Sequence, residues 1–129
     1  KYKKILSHLS KVDNSKTDIA LIYKKKILET GTSNLLFTKD DKVFTSKKDC
    51  YEGNTFKFLK TKIKKIVKKD IFIKDINKFD EIILVGSGKG VASVKTIHDI
   101  GWKRKSLYQF KIFSKYYHSA IKKCNSYKF

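Results

Sequence analysis

The sequence predicts an α/β (α+β) domain in which antiparallel strands and amphipathic helices share one core. Three observations carry that prediction. Short β-branched runs separated by turn residues fill much of the first third of the 129 residues, as in an antiparallel meander. Two later stretches place apolar residues at helical spacing. Between them, Glu81-Ile-Ile-Leu-Val85 is a continuous apolar strand that leads into a glycine-rich bend, the pattern of a strand covered on both faces.

Taken in order, residues Tyr2 to about Val12 put Ile5, Leu6 and Leu9 on one face and predict a short opening helix. Asp18-Ile-Ala-Leu-Ile-Tyr-Lys24 reads as a strand, and Lys25-Lys26 turns it into Ile27-Leu-Glu-Thr30. Gly31-Thr-Ser33 breaks the run before Asn34-Leu-Leu-Phe-Thr38, and Asp40-Asp41 makes a hairpin turn into Val43-Phe-Thr45. Asn54 is a suitable N-cap for a helix whose stripe is Phe56, Leu59, Ile63, Ile66 and Val67. Its interleaved lysines form a solvated face. Ile71-Phe-Ile73 is strand-like, Asp75 to Lys78 a short helical turn, and Val91 to Ile97 extended. A last helix starts near Ser106, with Leu107, Phe110, Phe113, Tyr117 and Ile121 on one side. The chain shows no internal repeat and no long linker, so a single domain is expected.

Composition narrows the function. The net charge of +19 raises nucleic acid as a partner. Arg104 is the only arginine, however, and the lysines are spread along the whole chain rather than along one arm. A lysine-only surface lacks the planar fork that reads bases and grips phosphates in pairs. A small basic nucleic-acid-binding module therefore stands as the alternative from another class. Cys50 and Cys124 make neither a metal knuckle nor a disulfide framework, and His8, His98 and His118 have no ligand-like spacing. No metal is expected, and a reducing, cytoplasmic setting is the default. No apolar run approaches the roughly 18 residues of a membrane span. Methionine is absent and the chain opens abruptly at Lys1, so a truncated reading frame is expected.

Three constellations could carry chemistry. Gly86-Ser-Gly-Lys-Gly90 invites a nucleotide-loop reading and fails it. A Walker A loop needs glycine where Ile83 stands, and Val91-Ala92 rather than Ser or Thr follows Gly90. A dinucleotide fingerprint needs glycine at Val91 and a helix where the chain is extended. What remains is a tight turn whose exposed amides could bind an anion. Glu29, among strand residues, is by itself a solvated charge. Gly53-Asn-Thr55 opens a helix, where free amides and the positive dipole end favour a phosphate, although taken alone it reads as ordinary helix capping.

Together the three change character. Glu29-Thr-Gly-Thr-Ser-Asn34-Leu-Leu-Phe37 resembles the Glu-(small residues)-Asn-Leu-Phe strand of class IV aminotransferases and aminodeoxychorismate lyases. Asp18-Ile-Ala-Leu-Ile22 resembles that family's Asp-Glu-Ala-Leu strand, and Gly53-Asn-Thr55 stands where the family has Gly-Ile-Thr. Glu81 to Val94 is similar to its strand–turn–strand, and order and spacing agree from about residue 1 to residue 125. The resemblance implies the C-terminal domain of the fold-type IV, D-amino acid aminotransferase-like fold. There, mixed and antiparallel strands form a pseudobarrel with flanking helices. All of 1–129 would be the large cofactor-binding domain, with the N-terminal domain absent.

The same resemblance implies pyridoxal 5'-phosphate as cofactor and carries roles residue by residue. Glu29 matches the carboxylate that pairs with the pyridine nitrogen and keeps the ring protonated. Asn54 and Thr55 match the helix-terminal residues that hold the phosphate, and Ser87 matches a second phosphate contact. Gly88, with Lys89, occupies the turn that faces the substrate carboxylate. Asn34 matches a structural residue, tying its strand to the turn before it.

Two departures stand out: Glu52 and Ser93 occupy positions where the family usually has proline. The Schiff-base lysine of the family falls just upstream of Lys1, so no catalytic lysine is expected within the chain and the fragment alone should be inactive. Gly90 resembles the glycine of the lyase-type turn, which favours 4-amino-4-deoxychorismate lyase, an activity of folate synthesis, over a branched-chain or D-amino acid aminotransferase. A small-molecule substrate and a homodimer of the complete enzyme are the partners this implies.

Overall fold

A computed structural model of the chain describes residues 3–10, 15–23, 25–30, 33–47, 53–63, 65–86, 90–97 and 100–126. Its strands are β1 (Lys3–Ser10), β2 (Ser15–Tyr23), β3 (Lys26–Thr30), β4 (Asn34–Lys39), β5 (Lys42–Ser46), β6 (Ile66–Lys69), β7 (Glu81–Gly86), β8 (Gly90–Ile97) and β9 (Trp102–Lys103). Helix α1 covers Asn54–Lys62, a 3₁₀ helix covers Ile73–Lys78, and helix α2 covers Tyr108–Ser126. The strands form one sheet in the order β3-β2-β1-β8-β7-β4-β5-β6, with β9 paired to β8. Neighbours are antiparallel except β5 and β6, which run parallel.

The sheet curls back on itself. At one edge, the Ile27 amide donates to the Ile71 carbonyl at 2.7 Å and the Ile73 amide to the Lys25 carbonyl at 2.9 Å. Those bonds join the start of β3 to the segment that follows β6, the opposite edge, and Lys26 adds an ion pair to Asp70 at 3.2 Å. Strand edges that would otherwise offer unpaired amides are thereby used up. The sequence-based expectation of a pseudobarrel with flanking helices agrees with this curled, half-barrel sheet.

Alternation along the strands sorts two apolar clusters. Leu35, Phe37, Ile82, Leu84, Ala92 and Val94 face the side on which the curl closes, where Ile27, Ile71, Ile76, Phe79 and Trp102 join them. Leu36, Ile83, Val85 and Val91 face the other way and meet Phe56 and Leu59 of α1 and Phe113 of α2. Every residue of β7 is buried, as the unbroken apolar run predicts for a strand covered on both faces.

Three local expectations are corrected. The opening segment is strand β1, not a helix. It forms an eight-residue ladder with β2, from Lys3 opposite Ile22 to Ser10 opposite Ser15, and also pairs with β8. Those two ladders outweigh a local spacing that suits either period. Helix α1 stops at Lys62, and Ile66 and Val67 leave its stripe to pair with Val43 and Phe44 of β5. The N-cap of α1 is Gly53 rather than Asn54, and its carbonyl accepts the Lys57 amide at 3.0 Å. The hairpin at Asp40, with φ 54°, and the short helical turn before Phe79 fall where the sequence puts them.

Candidate functional site

Strand pairing brings two of the three motifs to one end of the sheet. Asn34, the first residue of β4, pairs with Val85 near the end of β7. Gly86 then pairs with Gly90 across the glycine-rich bend. Asn34 is 6% exposed, and its Oδ1 accepts the Gly53 amide at 3.2 Å. The N-terminus of α1 is thus hung on the same end of the sheet that carries the bend. Asn34 thus ties its strand to the α1 N-cap; the turn before the strand, at 31–32, lies outside the described residues.

At α1 the donor set suits an anion. Among the described residues no N-cap side chain bonds back to the helix and its first turn holds no acidic residue, which suits its positive dipole end to an anion. Asn54 is exposed there, while Thr55 is buried. Glu29 lies in β3, opposite Leu21 of β2, and β3 also lies against β4. The side chain of Glu29 is outside the described residues, as are Ser87, Gly88, Lys89 and Lys1 in full.

Helix α2 packs against Gly90, the first residue of β8. Gly90 has φ +69°, and a Cβ built on it would lie 2.5 Å from Cε2 and 2.8 Å from Cζ of Tyr117. Any side chain at position 90 is therefore excluded twice, by backbone conformation and by an aromatic ring. The start of α2 is held by Glu81, a carboxylate only 1% exposed. One of its oxygens accepts the Gln109 amide at 2.8 Å and the other the Phe110 amide at 2.9 Å. A charge-assisted cap of this kind satisfies two amides that the helix cannot pair internally. Glu81 stands at the beginning of β7 and Gly90 just past its end, so α2 is anchored at both ends of that strand.

Sequence reasoning missed Glu81 and Tyr117. Tyr117 was legible as part of an apolar helix face, but nothing local links it to Gly90. Glu81 reads as the first residue of a strand, and the helix it caps lies 28 residues further on. The Ser93 position, where proline was expected, is fully buried, and its hydroxyl accepts from Arg104 at 3.2 Å. A separate groove of about 400 Å³, lined by Val43, Ile63, Ile112 and Phe113 with Lys62 and Lys65 at its side, lies toward the far end of α1. Among the described residues no group of three or more His, Cys, Asp or Glu side chains could hold a metal. No described helix is long and apolar enough to cross a membrane.

The family model described as amino-transferase class IV matches residues 1–97. The chain belongs to the class IV aminotransferase family. Solved structures agree on the fold. A protein from Thermotoga maritima described as a branched-chain amino acid aminotransferase is 18% identical over 77% of this chain, with a TM-score of 0.62. An aminotransferase from Brucella abortus, bound to the cofactor PLP, is 22% identical over 74% of the chain, again at 0.62. The 4-amino-4-deoxychorismate lyase of Pseudomonas aeruginosa is 20% identical over 66%, at 0.55. The chain covers 39%, 35% and 34% of those three chains, so it spans little more than a third of their length. No curated protein matches it. Structures described as aminotransferases and one described as a lyase thus share this fold.

Proposed function

We propose that this chain is the coenzyme-holding part of a pyridoxal-phosphate-dependent class IV enzyme, and that the enzyme is a 4-amino-4-deoxychorismate lyase. One observation supports the coenzyme site above the others. The N-terminal end of α1 and the bend after β7 share one end of the sheet, joined through Asn34. Two anion-binding backbones at one place fit a phosphate better than either does alone.

In this reading the amides of Asn54 and Thr55 and the Thr55 hydroxyl bind the phosphate, and Ser87 supplies a second contact. Glu29 holds the proton on the ring nitrogen, and that pairing offsets the cost of desolvating its carboxylate. Gly88 and Lys89 orient the substrate carboxylate. The lysine that moves the proton at the substrate carbon is placed just upstream of Lys1. Bound there, the coenzyme supplies an electron sink for charge developing at that carbon.

The preference for the lyase rests on Gly90. Its positive φ and the Tyr117 ring favour a bend with no side chain at this position, as in the lyase-type turn. A branched-chain or D-amino acid aminotransferase would use the same coenzyme contacts, and two of the similar structures are described as branched-chain aminotransferases. A cytoplasmic homodimer is the proposed setting. Incubating the full-length protein with 4-amino-4-deoxychorismate should release pyruvate and 4-aminobenzoate. Glutamate formation from 2-oxoglutarate and an amino acid, with no pyruvate released, would replace the lyase by the aminotransferase.

A further inference from the structure

We infer that Asn34 is a positioning residue for phosphate recognition, acting through the Gly53 amide. The inference rests on the coenzyme reading above and adds a residue to which that reading assigns no part in binding. Asn34 is buried at the start of β4 and is fixed in the sheet by its pairing with Val85. Its Oδ1 accepts the amide of Gly53, the N-cap of α1. An N-cap residue sets the direction in which the next amides project. Here the next residues are Asn54 and Thr55, the proposed phosphate ligands.

The bond runs between a rigid strand and a helix of nine residues, a length marginal as a helix on its own. Phe56, in the first turn of α1, and Leu59, in its middle, hold the helix to the core. At the residue before its first turn, Asn34 adds a polar tie from the sheet to the Gly53 amide. Small misplacement of a ligand-holding group costs binding steeply. Removing the bond should therefore weaken the grip on a phosphate while leaving contacts to a pyridine ring in place.

Two substitutions delete the bond from opposite ends. Asn34→Ala removes the acceptor. Gly53→Pro removes the donor, and it suits the backbone there because Gly53 has φ −70°, close to the angle proline imposes. Gly53→Ala sets the baseline, since it adds a Cβ and keeps the N–H. That Cβ would meet only Asn34 Oδ1, at an ordinary 3.8 Å.

The test titrates the full-length protein with pyridoxal 5'-phosphate and with pyridoxal, which lacks the phosphate, following absorbance. Relative to their baselines, N34A and G53P should each weaken pyridoxal phosphate binding about tenfold, as for one lost charge-coupled contact. Pyridoxal binding should stay within about twofold, and the double variant should be no worse than either single one. Equal weakening of both aldehydes would mean a general loss of structure and would overturn the inference. So would phosphate-selective binding that neither variant changes. A wild-type protein that binds neither aldehyde would overturn the coenzyme reading itself, and this inference with it.

Discussion

A carboxylate with 1% exposure is costly to bury unless it is fully used, and Glu81 is used by both of its oxygens. It accepts two backbone amides of α2, with Thr38 Oγ1 at 3.4 Å on one side. The partners are amides at a helix N-terminus, so hydrogen bonding and the helix dipole act together. Glu81→Ala would leave two donors without a partner and should cost about 2–4 kcal/mol. Glu81→Gln keeps one carbonyl oxygen and should cost less. Urea unfolding of both variants measures this; an E81A cost below about 0.5 kcal/mol, the range of an ordinary surface change, would mean that the cap is not what fixes α2.

Between elements, the contact that matters is α2 against the bend. Tyr117 belongs to the cluster that includes Val85, Val91 and Phe113, and its ring lies where a side chain on Gly90 would go. Gly90→Ala meets a left-handed backbone and a packed ring at once, and should cost about 2–4 kcal/mol from strain and overpacking together. Adding Tyr117→Ala should recover part of that loss, because it removes the collision and leaves the backbone strain. Chemical denaturation of the two single variants and the double gives the coupling; strict additivity would show that ring and glycine do not press on each other. Element ends were also where the sequence was least legible. Ile63, Ile66 and Val67 continue the α1 stripe by position, yet the helix stops at Lys62 because β5 offers Ile66 and Val67 a parallel partner. Ile5, Leu6 and Leu9 likewise suit a helix, and pairing with the next strand β2 and the distant β8 makes them β1.

Over the whole molecule, most elements were legible in the residues and the pseudobarrel through the family resemblance, but the particular seam that curls the sheet was not. The apolar run Leu35–Phe37 and the unbroken run of β7 reveal strands buried on both faces, and the stripe of Phe110, Phe113 and Tyr117 reveals α2. Nothing in the sequence pairs Ile27 with Ile71, 44 positions apart, and that seam is what curls the sheet. For the proposed site, order and spacing of the motifs singled out Asn54 and Thr55 as candidates. Asn34 accepts the Gly53 amide at that end of the sheet, a pairing 19 positions apart that no local pattern specifies. The positive charge of +19 played no part in that argument. The central claim is that these segments form one pyridoxal phosphate site. Its most direct test is the absorption spectrum of the full-length protein with pyridoxal phosphate, taken before and after borohydride, followed by peptide mapping. The account predicts a visible band that borohydride abolishes while fixing the coenzyme to a lysine just before Tyr2. A protein that stays colourless and takes up no pyridoxal phosphate would contradict it.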